Sequence, residues 1–141
     1  LVGDKPLLVK LGFVGDDALA RSWVELSGGL VQGLVMVNCI GAKVQSPDGK
    51  AFFSGESRGI AGAAISEAVR KQVSTFQSLI HEHRSKIKTI AVGGVTEATD
   101  VSDYLKLGVE GVQTATAAML NPSWAVSVKS ELQKADRAQS V

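Results

Sequence analysis

The segment Ile87–Ala117 constrains the fold more than any other part of the chain. It reads as an apolar strand ending in Gly93-Gly94, a short amphipathic helix closed by Gly108, and a second apolar stretch, Gly111-Val112-Gln113-Thr114-Ala115-Thr116. Two strands joined through a helix run parallel, with a right-handed crossover. Both therefore finish at the same edge of one sheet, and both finish on small residues. Small side chains let an anion approach backbone N–H groups, and a helix N-terminus adds favourable dipole charge. The loops after the last two strands of a (β/α)8 barrel are where phosphate sites recur.

The rest of the chain repeats this βα period. Leu7–Leu11 has strand character, and Asp16–Leu26 has helical spacing, with Ala18, Leu19, Trp23 and Leu26 usable as one face and Gly28-Gly29 as its stop. Gly33–Ile40 is a nearly continuous apolar strand, as expected in a sheet covered on both faces. Gly41–Arg58 is polar and turn-rich, with Ser46-Pro47-Asp48-Gly49 as its strongest turn signal, and is expected to be a functional loop. A long helix is predicted over Ala63–Arg84, with Ile65, Val69, Val73, Phe76 and Ile80 on one stripe. Strand Ile87–Val92, helix Asp100–Leu107, strand Gly111–Thr116 and helix Pro122–Gln133 follow, and a polar, frayed tail is expected over Lys134–Val141.

Four βα units in series imply an α/β parallel sheet. A full (β/α)8 barrel needs about 250 residues, and this chain has 141. The favoured expectation is a half-barrel of TIM type, a single domain over 1–141 and a fragment of a longer polypeptide, since the chain opens on Leu1 and enters a strand almost at once. A small open doubly wound domain is the competing architecture.

Composition narrows the function classes. A net charge of +1, without basic runs or aromatic-basic interleaving, gives no sign of a nucleic-acid partner. No apolar run is long enough to span a membrane, and the expectation is that no signal peptide precedes the first strand. The single cysteine, Cys39, excludes an internal disulfide and fits a reducing compartment. His81 and His83 are two apart on a helix and do not share a face, so no metal site is expected.

Several residues can carry chemistry. Lys10 sits in an apolar strand, aimed either into a ligand pocket or, snorkelling, to the rim. Asn38 ends the second strand, where an amide can read a donor–acceptor pair on a planar ring or simply close a turn. Cys39 beside it reads first as a small packed hydrophobe. Arg58-Gly59-Ile60-Ala61-Gly62 precedes the long helix, and its glycines permit close backbone approach. Each glycine-rich loop is a weak signal alone, and three in order are much more specific.

Together these motifs resemble the C-terminal half of the dihydroorotate dehydrogenase family of FMN-dependent (β/α)8 barrels. Pro6–Leu11 is similar to the family's strand with a flavin-contacting lysine, and Val37-Asn38-Cys39 to the strand whose asparagine touches a pyrimidine substrate. Gly59–Ile65, Ala91–Val95 and Val112–Ala117 resemble the family's three phosphate-side segments, with Asp100 in the matching helix. The pattern departs from the family's usual residues at Arg58, Ala61, Cys39, Val109 and Ala115.

The resemblance implies oxidation of dihydroorotate to orotate in pyrimidine biosynthesis, with FMN as cofactor. It implies that Lys10, Ala61, Gly62, Gly93, Gly94, Ala115 and Thr116 bind the cofactor and that Asn38 and Cys39 meet the substrate. The catalytic base is expected in the N-terminal half, outside this chain, so the isolated chain is expected to be inactive. A homodimer, or pairing with the missing half-barrel, would close the sheet. The implied location is cytoplasmic, or mitochondrial for a quinone-linked parent. Another flavin- or phosphate-binding TIM barrel, and a non-catalytic half-barrel module, are the alternatives.

Overall fold

A computed structural model describes residues 3–139. Four strands, β1 (Leu8–Lys10), β2 (Gly33–Met36), β5 (Lys88–Val92) and β6 (Gly111–Gln113), form one parallel sheet in the order β1-β2-β5-β6. Between β2 and β5, β3 (Ile40–Ala42) and β4 (Arg58–Ile60) pair as an antiparallel arm. The helices are α1 (Asp17–Ser27), α2 (Ser66–Glu82), α3 (Ala98–Lys106), α4 (Thr116–Leu120) and α5 (Trp124–Gln139). This is the expected series of four βα units, a half-barrel.

The register aligns the strand ends. Lys10 lies opposite Val35, Val35 opposite Ile90, and Ile90 opposite Gly111. All four chain segments thus leave the sheet along one edge. The central strand β2 is buried along its whole length, as its apolar run requires of a strand covered on both faces.

Helix α2 covers the sheet with the predicted stripe. Val69, Val73 and Phe76 are fully buried, and Ile65 and Ile80 nearly so. The helix proper starts at Ser66 because Gly62, at φ +74°, turns the chain into a 3-10 segment over Gly62–Ile65 first. Gln72 lies in the same buried face and supplies polar pairing there. Its Oε1 accepts from Val14 N at 2.7 Å and its Nε2 donates to Gly12 O at 3.1 Å. These bonds pin the loop that leaves β1 just beyond Lys10.

Four expectations need correction. The buried face of α1 is Ala20, Val24 and Ser27, whereas Leu19 and Leu26 are 51% and 72% exposed. Small residues line the side of α1 that packs on α2, so the leucines point away from it. The Gly41–Arg58 loop has its own structure: β3 and β4 pair through Gly41 and Gly59, with a further bridge between Gln45 and Ala51 around the Ser46–Gly49 turn. Strand β6 stops at Gln113, because Thr116 already begins α4. The final helix continues through Gln139 and is not frayed from Lys134; Ser140 and Val141 lie outside the described residues.

The α2–α3 junction is held by charge. Asp100, the third residue of α3, forms a capping box with Glu97. Its Oδ2 accepts from Thr96 N and Thr96 Oγ1, both at 2.8 Å, and from Glu97 N at 3.1 Å, while its Oδ1 accepts from Arg70 Nη2 at 2.6 Å. Arg70 Nη1 donates to Asp103 at 2.7 Å. Burial of the Asp100 carboxyl opposes ionisation, but the Thr96 and Glu97 donors and the Arg70 charge outweigh it and hold its pKa below the ordinary aspartate value.

A carboxylate with a depressed folded-state pKa stabilises the fold fully above its unfolded value, about 3.9, and loses that contribution as pH falls through the folded value. The urea midpoint of the wild type is therefore expected to fall below about pH 4 more steeply than that of Asp100→Asn. Asp100→Ala, which removes a cap and half of an ion pair, is expected to cost about 2–3 kcal/mol at neutral pH in the same measurement.

Candidate cofactor and substrate site

A cavity of about 150 Å³ opens at the strand C-terminal edge. It is lined by Lys10, Asn38, Ala61, Gly62, Gly93, Gly94, Ala115 and Thr116, joined by Val92, Val95, Gln113 and Thr114. The structure thus brings together every residue expected at the site except Cys39. The Cys39 thiol lies instead against the arm, where a Cβ added at Gly59 would stand 3.0 Å from Sγ.

Each wall follows from local sequence. Lys10 is the last residue of β1, and its side chain is exposed. Asn38 follows the buried Val37, and its Nδ2 makes only a weak 3.9 Å contact with Cys39 Sγ, which leaves the amide open for other partners. The three small-residue loops touch one another. A Cβ at Gly62 would lie 3.3 Å from Thr116 Cγ2. One at Gly93 would lie 2.9 Å from Val37 O, and one at Gly94 would lie 2.4 Å from Ser66 Cα. Gly93 and Gly94 also take φ values of +119° and +70°, which only glycine adopts freely.

The loop after β5 has a particular hydrogen-bonding pattern. Three of its carbonyls accept from side chains: Tyr104 Oη donates to Gly93 O at 3.0 Å, Thr114 Oγ1 to Val95 O at 3.1 Å, and Trp124 Nε1 to Thr96 O. Among the described residues, the amides of Gly93, Gly94, Ala115 and Thr116 donate to no protein acceptor. Gly94 is buried, Gly93 half-buried, and Ala115 and Thr116 exposed, so these donors are open to an anion in the cavity or to water. With the Lys10 cation on the same cavity, the site suits an anionic group at one end and a polar planar ring beside it.

Gln113 and Thr114 belong to the site but carried no separate signal in the sequence. Thr114, whose β-branched side chain suits a strand, ties the loops after β5 and β6 together through Val95 O. A polar residue at the exit of the last strand, as at Gln113, is the clue that was available. His81 and His83 lie at the other end of α2, where His83 Nε2 is 3.0 Å from Arg21 Nη1, and among the described residues no cluster of metal-ligating side chains occurs. A larger open groove, about 930 Å³, lies near the start of β5 and is lined by none of the expected site residues. No described helix is long and apolar enough to cross a membrane.

Fold and site together define a βα half-barrel whose candidate site lies on the strand C-terminal edge, the side on which barrels of this architecture place their chemistry. The family model for dihydroorotate dehydrogenase matches residues 2–135, and the chain belongs to that family. It is 32% identical over 131 residues to the catalytic subunit of dihydroorotate dehydrogenase B (NAD(+)) of Oceanobacillus iheyensis, covering 92% of this chain and 41% of the relative. The corresponding subunit of Staphylococcus carnosus is 29% identical over 135 residues, covering 93% and 41%. The chain therefore spans about two fifths of the length of these curated relatives. Its fold matches that of DHODH from Eimeria tenella, solved in complex with ferulenol, with a TM-score of 0.77 at 20% identity, over 96% of this chain and 35% of that one.

The close approach at Gly94 makes a direct prediction. Gly94→Ala combines a left-handed backbone with collision against Ser66 and is expected to cost about 3 kcal/mol or more. Gly49→Ala, at φ +83° in open space, carries only the backbone penalty of about 1 kcal/mol. Urea denaturation of the two variants measures the difference.

Proposed function

We propose that this chain is the cofactor-holding, C-terminal half of an FMN-dependent dihydroorotate dehydrogenase, forming one domain over 1–141. The observation that carries the reading is the set of unpartnered amides at Gly93, Gly94, Ala115 and Thr116 on one cavity with Lys10 and Asn38. Such donors fit a phosphate monoester, and a cation with an amide beside them fits a flavin ring and a pyrimidine. The relatives' description as catalytic subunits of the NAD(+)-linked form supports placing the parent protein in that branch.

In the proposed reaction, dihydroorotate loses a proton from one ring carbon and a hydride from its neighbour, giving orotate. FMN, when bound, supplies the hydride acceptor. The amides of the three loops hold its phosphate and so fix where the ring lies. Lys10 would hold a positive charge beside the bound flavin ring and so favour its negatively charged form. Asn38 donates to and accepts from the substrate's ring amide groups and sets its orientation, whereas Cys39, turned toward the arm, takes no part. The proton acceptor belongs to the half of the barrel outside this chain.

Among the described residues, β1 and β6 are the outer strands of the sheet. Leu8 beside one edge is 51% exposed, and Met119 and Leu120 beside the other are each 82% exposed. The proposed partner for both is the remaining half-barrel, or a second copy in its place, since four further parallel strands complete eight.

Titration of the chain with FMN, followed by flavin fluorescence, tests the reading. Saturable quenching is expected, with affinity lowered about tenfold in Lys10→Ala through loss of one charge-assisted contact. No saturable binding by a chain with a folded circular-dichroism spectrum would overturn the assignment of the cofactor site to this half.

A further inference from the structure

Tyr104 raises a question that packing does not answer. It is among the largest fully buried side chains in the protein. A buried hydroxyl is costly unless bonded, so apolar filling alone would be served better by phenylalanine. Its one hydrogen bond runs to Gly93 O at 3.0 Å, in the loop with two successive left-handed glycines. Side chains fix three carbonyls of that loop, those of Gly93, Val95 and Thr96. Burial also pushes the phenol up to about 12, so the hydroxyl remains a donor throughout the physiological range.

Arg70 fixes Tyr104 in turn. Its guanidinium lies 5.5 Å from the centre of the Tyr104 ring while forking between Asp100 and Asp103, one turn and one residue back on the same helix. A planar fork does this in a way a lysine ammonium does not. The chain of contact runs from α2 through Arg70 to α3, and through Tyr104 to the carbonyl of Gly93. Neither side chain lines the cavity.

We propose that Tyr104, held in place by Arg70, is a positioning residue for anion binding: by anchoring the Gly93 carbonyl it keeps the Gly93 and Gly94 amides presented to the cavity. This rests on the reading of that cavity as a phosphate site. The contact acts on the phosphate end alone, so it selects for the phosphorylated flavin over the unphosphorylated one.

The test compares Tyr104→Phe with the wild type in titrations with FMN and with riboflavin, alongside ¹⁵N relaxation of the backbone. The expected result is an FMN affinity about tenfold lower, as for loss of one buried hydrogen bond, with riboflavin affinity unchanged. Backbone order at Gly93 and Gly94 is expected to fall from about 0.85 toward about 0.6, while β5 is unaffected. Arg70→Lys is expected to show the same selective loss to a smaller degree, and an unchanged FMN-to-riboflavin ratio in that variant removes Arg70 from the assignment. Unchanged FMN affinity in Tyr104→Phe, or an equal loss of both flavins, overturns the proposal. If the wild type binds neither flavin, the cofactor reading itself fails. The relaxation data then decide the positioning role alone, loss of order at Gly93 and Gly94 supporting it and unchanged order overturning it.

Discussion

The space beside Gly94 is occupied by the backbone of Ser66, and much of the site depends on that contact. A Cβ at Gly94 would lie 2.4 Å from Ser66 Cα, so the loop leaving β5 and the start of α2 can meet only where a side chain is missing. This brings the 3-10 turn of Gly62–Ile65 to the sheet edge, and Gly62 in turn meets Thr116 at the start of α4. Three loops from different parts of the chain converge through two glycines. Side chains behind the loops, Tyr104, Thr114, Trp124 and Asp100, take up the polar groups that face inward. The amides that remain border the cavity. The cradle is therefore a consequence of close backbone packing more than of any single functional side chain.

The same economy explains what the structure leaves uncovered. A parallel sheet is ordinarily covered on both faces, and its edges are protected or paired. Here β2 and β5 lie inside the sheet, whereas β1 and β6 each lack an outer neighbour among the described residues. Exposed apolar residues collect beside those edges and on the outer side of α1. The chain belongs to the dihydroorotate dehydrogenase family and spans about two fifths of the length of its relatives, and the proposed completion by further βα units would cover these edges.

Much of this was legible in the sequence because two signals are strong. The 3.6-residue spacing of Val69, Val73, Phe76 and Ile80 selects one face of α2 unambiguously, and the glycine pairs mark strand ends where backbone must come close. The ordering of those loops pointed to the strand C-terminal edge, where one cavity is lined by Lys10 and Asn38 together with them. Other features were not readable. Leucines and small residues alternate around α1, and only the proximity of α2 decides that Ala20 and Val24 face inward. The arm β3–β4 is held by backbone pairing between short segments, which side-chain periodicity does not reveal. Tyr104 and Gln72 act through bonds to the main chain of distant residues, and the sequence carries no trace of such a partner. Cys39, adjacent to Asn38 in sequence, is taken out of the cavity wall by the turn into β3.

The central claim is that the loop amides form an anion cradle, and amide-resolved NMR during titration with FMN, with riboflavin as comparison, addresses it most directly. The account predicts that the Gly93, Gly94, Ala115 and Thr116 amides shift with FMN and not with riboflavin. Shifts confined to other parts of the chain, or identical responses to the two flavins, would contradict it.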